Sequence, residues 1–260
     1  MWLTPADAAK QYYDSNLRSA VALLMSIVKD RRSRGSGRPP GEPQAEWRAV
    51  LVLALAALEA GLVDVGLAAH HHRIRFRGGA STAATDEELA RARGRLLTSL
   101  PLSAPNAQKV ENFMLAQFGV LPSQIVVPPQ AHFTTRVKAV ALGGAGSGSP
   151  AEFAGEWQEL AARLDAIQYF RNAIVHADSQ KLETVPPSAQ SLSDGAKGSI
   201  WALTKAGDWS LQMPHAVTAV RTTVAVFNTV SYTIYSAVGL SSSTSGGLKR
   251  PDEVVPFEDD

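Results

Sequence analysis

Cysteine is absent from all 260 residues of the chain, and neither sign of charge is in strong excess. Without cysteine the protein has no disulfides, no thiolate metal ligands and no cysteine nucleophile. The 25 basic and 24 acidic residues give a formal net charge of +1 at pH 7. A global attraction to polyanions is therefore excluded, and any contact with nucleic acid must come from local clusters of basic side chains.

Long hydrophobic runs are also missing from the sequence. The longest, residues 49–58, ends at Glu59 and is shorter than the roughly 20 apolar residues that a membrane-spanning helix requires. Residues 1–7 contain no basic segment followed by an apolar run, so we expect no secretory signal. The 45% of hydrophobic residues is enough for a folded core and excludes disorder of the whole chain. We expect a cytoplasmic protein that makes no contact with a membrane.

Apolar periodicity and helix-capping residues predict a mostly helical fold. The predicted helices cover approximately residues 4–30, 43–70, 86–100, 108–118, 150–176 and 214–240. The second of them is apolar on nearly every face, which is typical of a central helix. Before the last helix, residues 199–204 and 209–213 alternate around Lys205-Ala206-Gly207-Asp208, which predicts a small β-hairpin.

The same patterns predict three parts of the chain. We expect an N-terminal helix and loop at residues 1–41, a helical domain at 42–240, and a tail at 241–260. The tail is rich in serine and glycine and then acidic, so we expect it to be disordered. It either inhibits a basic site on the protein or only aids solubility.

The most informative motif is Arg171-Asn172-Ala173-Ile174-Val175-His176, at the end of the fifth predicted helix. Arginine offers a planar and permanently charged fork that suits phosphate oxygens. Histidine can take and give protons near neutral pH. Together these two side chains suffice for cleavage of an RNA phosphodiester without a metal ion or another cofactor, so we expect neither.

The order of the predicted elements resembles the HEPN superfamily, most closely its RiboL-PSP-type subgroup. These elements are the long apolar helix that carries Glu59, the amphipathic helix that ends in residues 171–176, the hairpin and the closing helix. The signature of this family is an arginine, a polar residue, and a histidine four to six residues after the arginine. Arg171, Asn172 and His176 match it, and the likeness covers residues 44–240.

The resemblance implies an all-α fold, an antiparallel helical bundle in which the small hairpin precedes the last helix. It also implies a homodimer in which the motifs of two subunits face one another in a single cleft. Many such proteins are metal-independent endoribonucleases of toxin–antitoxin or antiphage systems. Some members carry a tyrosine two residues after the histidine, which a partner nucleotidyltransferase modifies; here that position is Asp178, so this partner is not implied.

Residues five apart on a helix lie about 140° apart around its axis, so one subunit does not readily surround a phosphate with Arg171 and His176. Two copies related by a two-fold axis do, which makes the composite site of a homodimer part of the hypothesis. An RNA 2′-hydroxyl would attack its own phosphate, with His176 as general acid or base and Arg171 stabilising the growing charge. Asn172, the third predicted catalytic residue, would hold the imidazole or the phosphate. In supporting roles Asp178 would orient His176, and Glu59 would pair with Arg171.

Two other interpretations stay open at this point. An arginine and a histidine in a last helical turn also interact favourably with the helix dipole, so the chain is alternatively a catalytically silent HEPN module that binds a partner protein or a nucleotide. The second alternative is a metal-dependent hydrolase that uses the histidines at 70–72, but no spacing of metal ligands supports it. An antitoxin or another regulatory protein is a further expected partner.

Other basic residues are candidates for RNA contacts. In an extended segment, Arg73, Arg75 and Arg77 would lie on one side and would form an edge that binds the RNA backbone. A solvated helix end is equally compatible with this run. The arginines at 91, 93 and 95 are expected to form a solvated face.

Overall fold

The computed structural model describes residues 3–33, 44–76, 85–99, 105–124, 150–175, 202–203, 209–240 and 247–256. Helices dominate this part of the chain, so the all-α class is confirmed. The helices are α1 (Pro5–Gln11), α2 (Arg18–Ser33), α3 (Gln44–Phe76), α4 (Asp86–Ser99), α5 (Ala107–Phe118), α6 (Pro150–Val175), α7 (Met213–Ala237) and α8 (Pro251–Val254). A π-helical turn, Tyr12–Asn16, joins α1 to α2, and a 3₁₀ turn, Pro122–Gln124, follows α5.

Two short strands precede α7. They are β1 (Ala202–Leu203) and β2 (Trp209–Ser210), which pair antiparallel with Leu203 opposite Trp209. Residues 204–208, the predicted turn, lie outside the described residues, so the hairpin as a whole stays a prediction.

Helix α3 lies at the centre of the fold, as its sequence predicts. Its leucines and alanines cover every face, and it packs against α1, α2, α4, α6 and α7. Trp47, Leu58 and Leu62 are completely buried along it. The helix continues six residues beyond the predicted end at His70, because residues 71–76 keep helical geometry through Phe76.

By length and composition alone, α3 is also able to cross a membrane. Its apolar segment Ala45–Ile74 passes that criterion even though Glu59 and Asp64 interrupt it. In the folded chain 56% of its most apolar window is buried against other parts of the protein, as in the core helix of a globular fold. The cytoplasmic location and the absence of membrane contact stay predictions.

The N-terminal part begins as predicted and then departs from the prediction. The hydroxyl of Thr4 accepts a hydrogen bond from the Asp7 N–H (3.1 Å), and the Asp7 carboxylate accepts one from the Thr4 N–H (3.1 Å), which caps α1. The predicted single helix over 4–30 is interrupted at the π-helical turn. The wider turn allows the neighbouring rings of Tyr12 and Tyr13 both to enter the core.

Helix α7 is buried over most of its length, including its polar residues. The hydroxyls of Thr223 and Thr233 donate to backbone carbonyls of their own helix, at 2.8 and 2.7 Å. These bonds give each hydroxyl an acceptor inside the core. The ring of Phe227 stacks on Tyr12, with 3.8 Å between centroids, which joins α7 to the N-terminal part.

One hydrophobic core joins the described N-terminal helices to the rest of the fold. One cluster of buried apolar side chains extends from Ala8 in α1 to Val255 after α8. The described N-terminal helices therefore pack together with α3 and α7, and the predicted limits at residues 41 and 240 stay predictions.

The predicted disorder of the tail is wrong for residues 247–256. Pro251 and Val255 are buried, and the Lys249 N–H donates to the Tyr13 hydroxyl at 3.1 Å. Asn228 Nδ2 donates to the Lys249 carbonyl at 2.9 Å. The tail is polar in composition. A few buried apolar side chains nevertheless suffice to dock it, because buried polar side chains form hydrogen bonds with its backbone.

Candidate functional site

Helix α6 carries the predicted motif, and α5 holds it in place. Trp157 Nε1 donates to a Glu111 carboxylate oxygen at 2.7 Å, and the Ala107 N–H donates to Asp165 Oδ1 at 2.7 Å. Since residue numbers rise along α6 as they fall along α5 between these two contacts, the helices run antiparallel.

The predicted apolar stripe of α6 is confirmed where its side chains are described. Trp157, Leu160, Leu164 and Ile167 are all buried. Arg171 comes four residues after Ile167 and seven after Leu164, so it lies on the same face of the helix. A permanently charged side chain thus continues an apolar stripe at the end of the helix.

Arg171 is partly buried, and its Nη1 donates to the Asn172 side-chain oxygen at 3.2 Å. Within the described part of the chain no carboxylate forms an ion pair with Arg171. Removing a cation from water without an opposite charge is unfavourable. Among the described residues, Arg171 is therefore a partly buried cation at the end of an apolar stripe.

The structure brings together only part of the predicted site. Arg171 and Asn172 are in contact, whereas His176 and Asp178 lie outside the described residues. Glu59 is partly buried within α3, and no ion pair joins it to Arg171, although both side chains are described. The expected Glu59–Arg171 pair is thus not formed in this structure.

The basic run after His70 is helical as far as Phe76, so its interpretation as an extended edge is wrong for these residues. On a helix, residues two apart diverge by about 200°, which places Arg73 and Arg75 on different sides. Arg77 and the side chain of Arg75 lie outside the described residues. The alternative, a helix end, is what the structure shows.

Arg73 has a structural role at this helix end. Its Nη1 donates to the Gln117 carbonyl at 3.1 Å, and its guanidinium lies 5.3 Å from the centre of the Phe118 ring. The ring of His70, one helical turn earlier, lies 5.2 Å from the same ring. These contacts attach the end of α3 to the end of α5.

A cleft of about 320 Å³ opens between the ends of α3 and α5 and the outer face of α4. Its polar lining consists of His70, Arg73, Glu88, Arg91, Arg95 and Gln117. The arginines at 91 and 95 were expected to form a solvated face, and both are indeed exposed. The sequence contained a signal for the cleft, because residues 88, 91, 92 and 95 share one face of a helix, as do 70, 73 and 74.

Among the described residues no group of three or more histidine, aspartate or glutamate side chains could hold a metal ion. No known family model matches the chain, and comparisons with curated proteins and with solved structures found no match. The resemblance to HEPN proteins therefore rests on the motif residues and on the order of the helices.

Proposed function

We propose that the protein is a metal-independent endoribonuclease of the HEPN type, which cleaves RNA such as tRNA in a toxin–antitoxin or antiphage system. The observation that carries the proposal is the position of Arg171. It is a partly buried cation on the inner stripe of α6, with no carboxylate partner in the described part of the chain. A phosphate supplies the charge that such a site needs, and the arginine fork binds two of its oxygens at once.

In the proposed reaction the 2′-hydroxyl of a ribose attacks the adjacent phosphorus, and the 5′-oxygen of the next nucleotide leaves. His176 takes the proton from the nucleophile or gives one to the leaving oxygen. Arg171 stabilises the negative charge on the phosphoryl oxygens. Asn172 acts through Arg171, because the hydrogen bond from Nη1 to its side-chain oxygen limits the rotation of the guanidinium.

The proposal includes a homodimer, in which the arginine of one subunit and the histidine of the other act on the same phosphate. This arrangement avoids the divergence of about 140° between residues 171 and 176 of one helix. The RNA product would end in a 2′,3′-cyclic phosphate.

The first test is cleavage of total tRNA and of an unstructured RNA in excess EDTA, with analysis of the product ends. We expect cyclic phosphate ends from wild type, and a loss of about 10²-fold or more in rate for Arg171→Ala and for His176→Ala. Arg163→Ala is the matched control, since Arg163 lies on the same helix and pairs with Glu159 on the surface.

Full activity in Arg171→Ala or His176→Ala contradicts the catalytic assignment. The absence of cleavage by wild type favours the catalytically silent module. Mixing the two inactive variants tests the composite site, because subunit exchange produces dimers with one intact arginine and one intact histidine. No recovery of activity after demonstrated exchange contradicts a shared site.

A further inference from the structure

Three arginines from two helices line the cleft between α3, α4 and α5, and Glu88 is the carboxylate among its described lining residues. Arg73 comes from the last turn of α3, and Arg91 and Arg95 come from the middle of α4. When Glu87, which pairs with Arg91 beside the cleft, is included, three positive side chains face two negative ones among the described residues, in a chain whose net charge is only +1. An excess of one sign in a concave site attracts ions of the opposite sign.

Packing explains the position of Arg73 at the edge of the cleft. Arg73 bonds to the Gln117 carbonyl and lies against Phe118. Arg91 and Arg95 are exposed and lie one helical turn apart, so they present two guanidinium groups to the same side of the cleft. Two such forks suit the oxygens of one phosphate group or of two adjacent ones.

Two described carboxylates, Glu87 and Glu88, lie beside the arginines. Glu88 caps α4, because its carboxylate accepts a hydrogen bond from the Thr85 N–H at 2.9 Å. Glu87 pairs with Arg91, but the two side chains are 74% and 61% exposed. Pairs as exposed as this are weak, so a phosphate that bonds to two arginines can displace Glu87.

The volume and the remaining lining narrow the class of ligand. About 320 Å³ is near the lower end of the roughly 300–1,000 Å³ found for small-molecule sites. Ile74 and Ala92 add apolar surface next to the arginines. The cleft therefore suits a phosphate attached to an organic group better than a bare inorganic ion.

The cleft is also separate from Arg171. Helix α5 touches α6 through Ala107 and touches Arg73 through Gln117, and these residues are about 15 Å apart along its axis. Because residue numbers along α6 rise as those along α5 fall, the six residues from Asp165 to Arg171 lead further away from Gln117. One phosphate cannot reach both places within a subunit.

We propose that this cleft binds the phosphate of a nucleotide unit, either in a free mononucleotide or in an RNA strand. Arg91 and Arg95 hold the phosphate oxygens, and Arg73 supplies additional positive charge. The binding does not depend on the proposed ribonuclease activity, since none of these residues belongs to the motif at 171–176.

The test measures binding of adenosine 5′-monophosphate by calorimetry and of a fluorescein-labelled oligouridylate by anisotropy. All proteins are full-length and carry His176→Ala, so that the strand stays intact. Arg91→Gln with Arg95→Gln removes the two exposed cleft arginines. Arg48→Gln with Arg163→Gln is the matched control, because it removes the same charge from positions outside the cleft lining. Circular dichroism and thermal unfolding check that both double variants remain folded.

We expect the cleft variant to bind the probe at least about tenfold more weakly, while the control stays close to the parent protein. For the strand, the slope of log affinity against log salt should fall by about 0.7 for each lost phosphate contact. Binding of both probes supports a site that accepts the phosphate of any nucleotide unit. Binding of only one probe shows whether the bound phosphate belongs to a free nucleotide or to an RNA strand. If the parent binds neither probe, or if the two double variants bind alike, the proposal is wrong.

Discussion

Replacing Gly61 with alanine should destabilise the fold, although alanine is the better helix former. Gly61 lies in α3, where an added Cβ would be 2.6 Å from Tyr12 Cδ2 and 3.0 Å from Phe227 Cδ2. The two rings are stacked and completely buried, so neither can rotate away without opening the core. The close approach of α3 to these rings requires a residue without a side chain.

The expected magnitude is the difference between two opposing effects. Overpacking of a buried site costs typically about 1–3 kcal/mol, and the 2.6 Å contact with Tyr12 Cδ2 places Gly61→Ala in the upper half of this range. Replacing a helical glycine with alanine gains about 0.5–1 kcal/mol. The free energy of unfolding should therefore fall by about 1–2.5 kcal/mol.

Gly94→Ala is the matched control, because Gly94 also lies within a helix but nothing is found within 4 Å of its added Cβ. Here only the helix-forming gain remains, so we expect stabilisation by about 0.5–1 kcal/mol. Urea unfolding followed by circular dichroism measures both variants, and the m-value should stay unchanged. Equal stabilisation by the two substitutions would refute the packing of α3 against the Tyr12–Phe227 stack.

Three further predictions concern buried polar groups and use the same unfolding assay. Tyr13→Phe removes the hydroxyl that donates to Asn228 Oδ1, so it should cost about 1–3 kcal/mol; an unchanged midpoint contradicts this network. Burial raises the pKa of Asp64 above its usual value, so the folded state holds the proton more tightly and stability falls as the pH rises from about 4. Asp64→Asn should accordingly stabilise at pH 7 and lose this advantage below about pH 4, and destabilisation at pH 7 contradicts the prediction. Burial lowers the pKa of His71, whose Nδ1 accepts the Leu3 N–H at 2.9 Å, so stability should fall as the pH drops below about 6.5. His71→Gln should reduce that fall, and an identical pH profile would show that His71 does not cause it.

The sequence predicts the helices well because each carries a strong local signal. The cap at Thr4, the apolar stripe of α6 and the all-round apolar character of α3 are read from neighbouring residues, and the structure bears them out. Helix α5 begins one residue before its predicted start, where Asn106 caps it. Interactions within a few turns of chain are enough for such predictions.

The failures come from interactions between distant parts of the chain. The tail appears disordered by composition, but the structure docks it through Tyr13, which is 236 residues from Lys249. The cleft forms because Arg73 and Arg91, on two different helices, line the same space, and the periodicity of a single helix does not reveal this. Helix propensities do not predict the π-helical turn at Tyr12, because this turn depends on how the tyrosine rings pack against α7.

The geometry of α5 constrains how an RNA strand would use the two basic sites. Arg171 and the cleft lie toward opposite ends of this helix, on the order of 15 Å or more apart along its axis. A strand that reaches both within one subunit must therefore place different nucleotides in each. Because the cleft is remote from the phosphate at Arg171, its arginines would contribute equally to binding in the ground state and in the transition state. Such uniform binding lowers KM and leaves kcat unchanged, so selection of the strand and cleavage of the strand would be carried out by different parts of the protein.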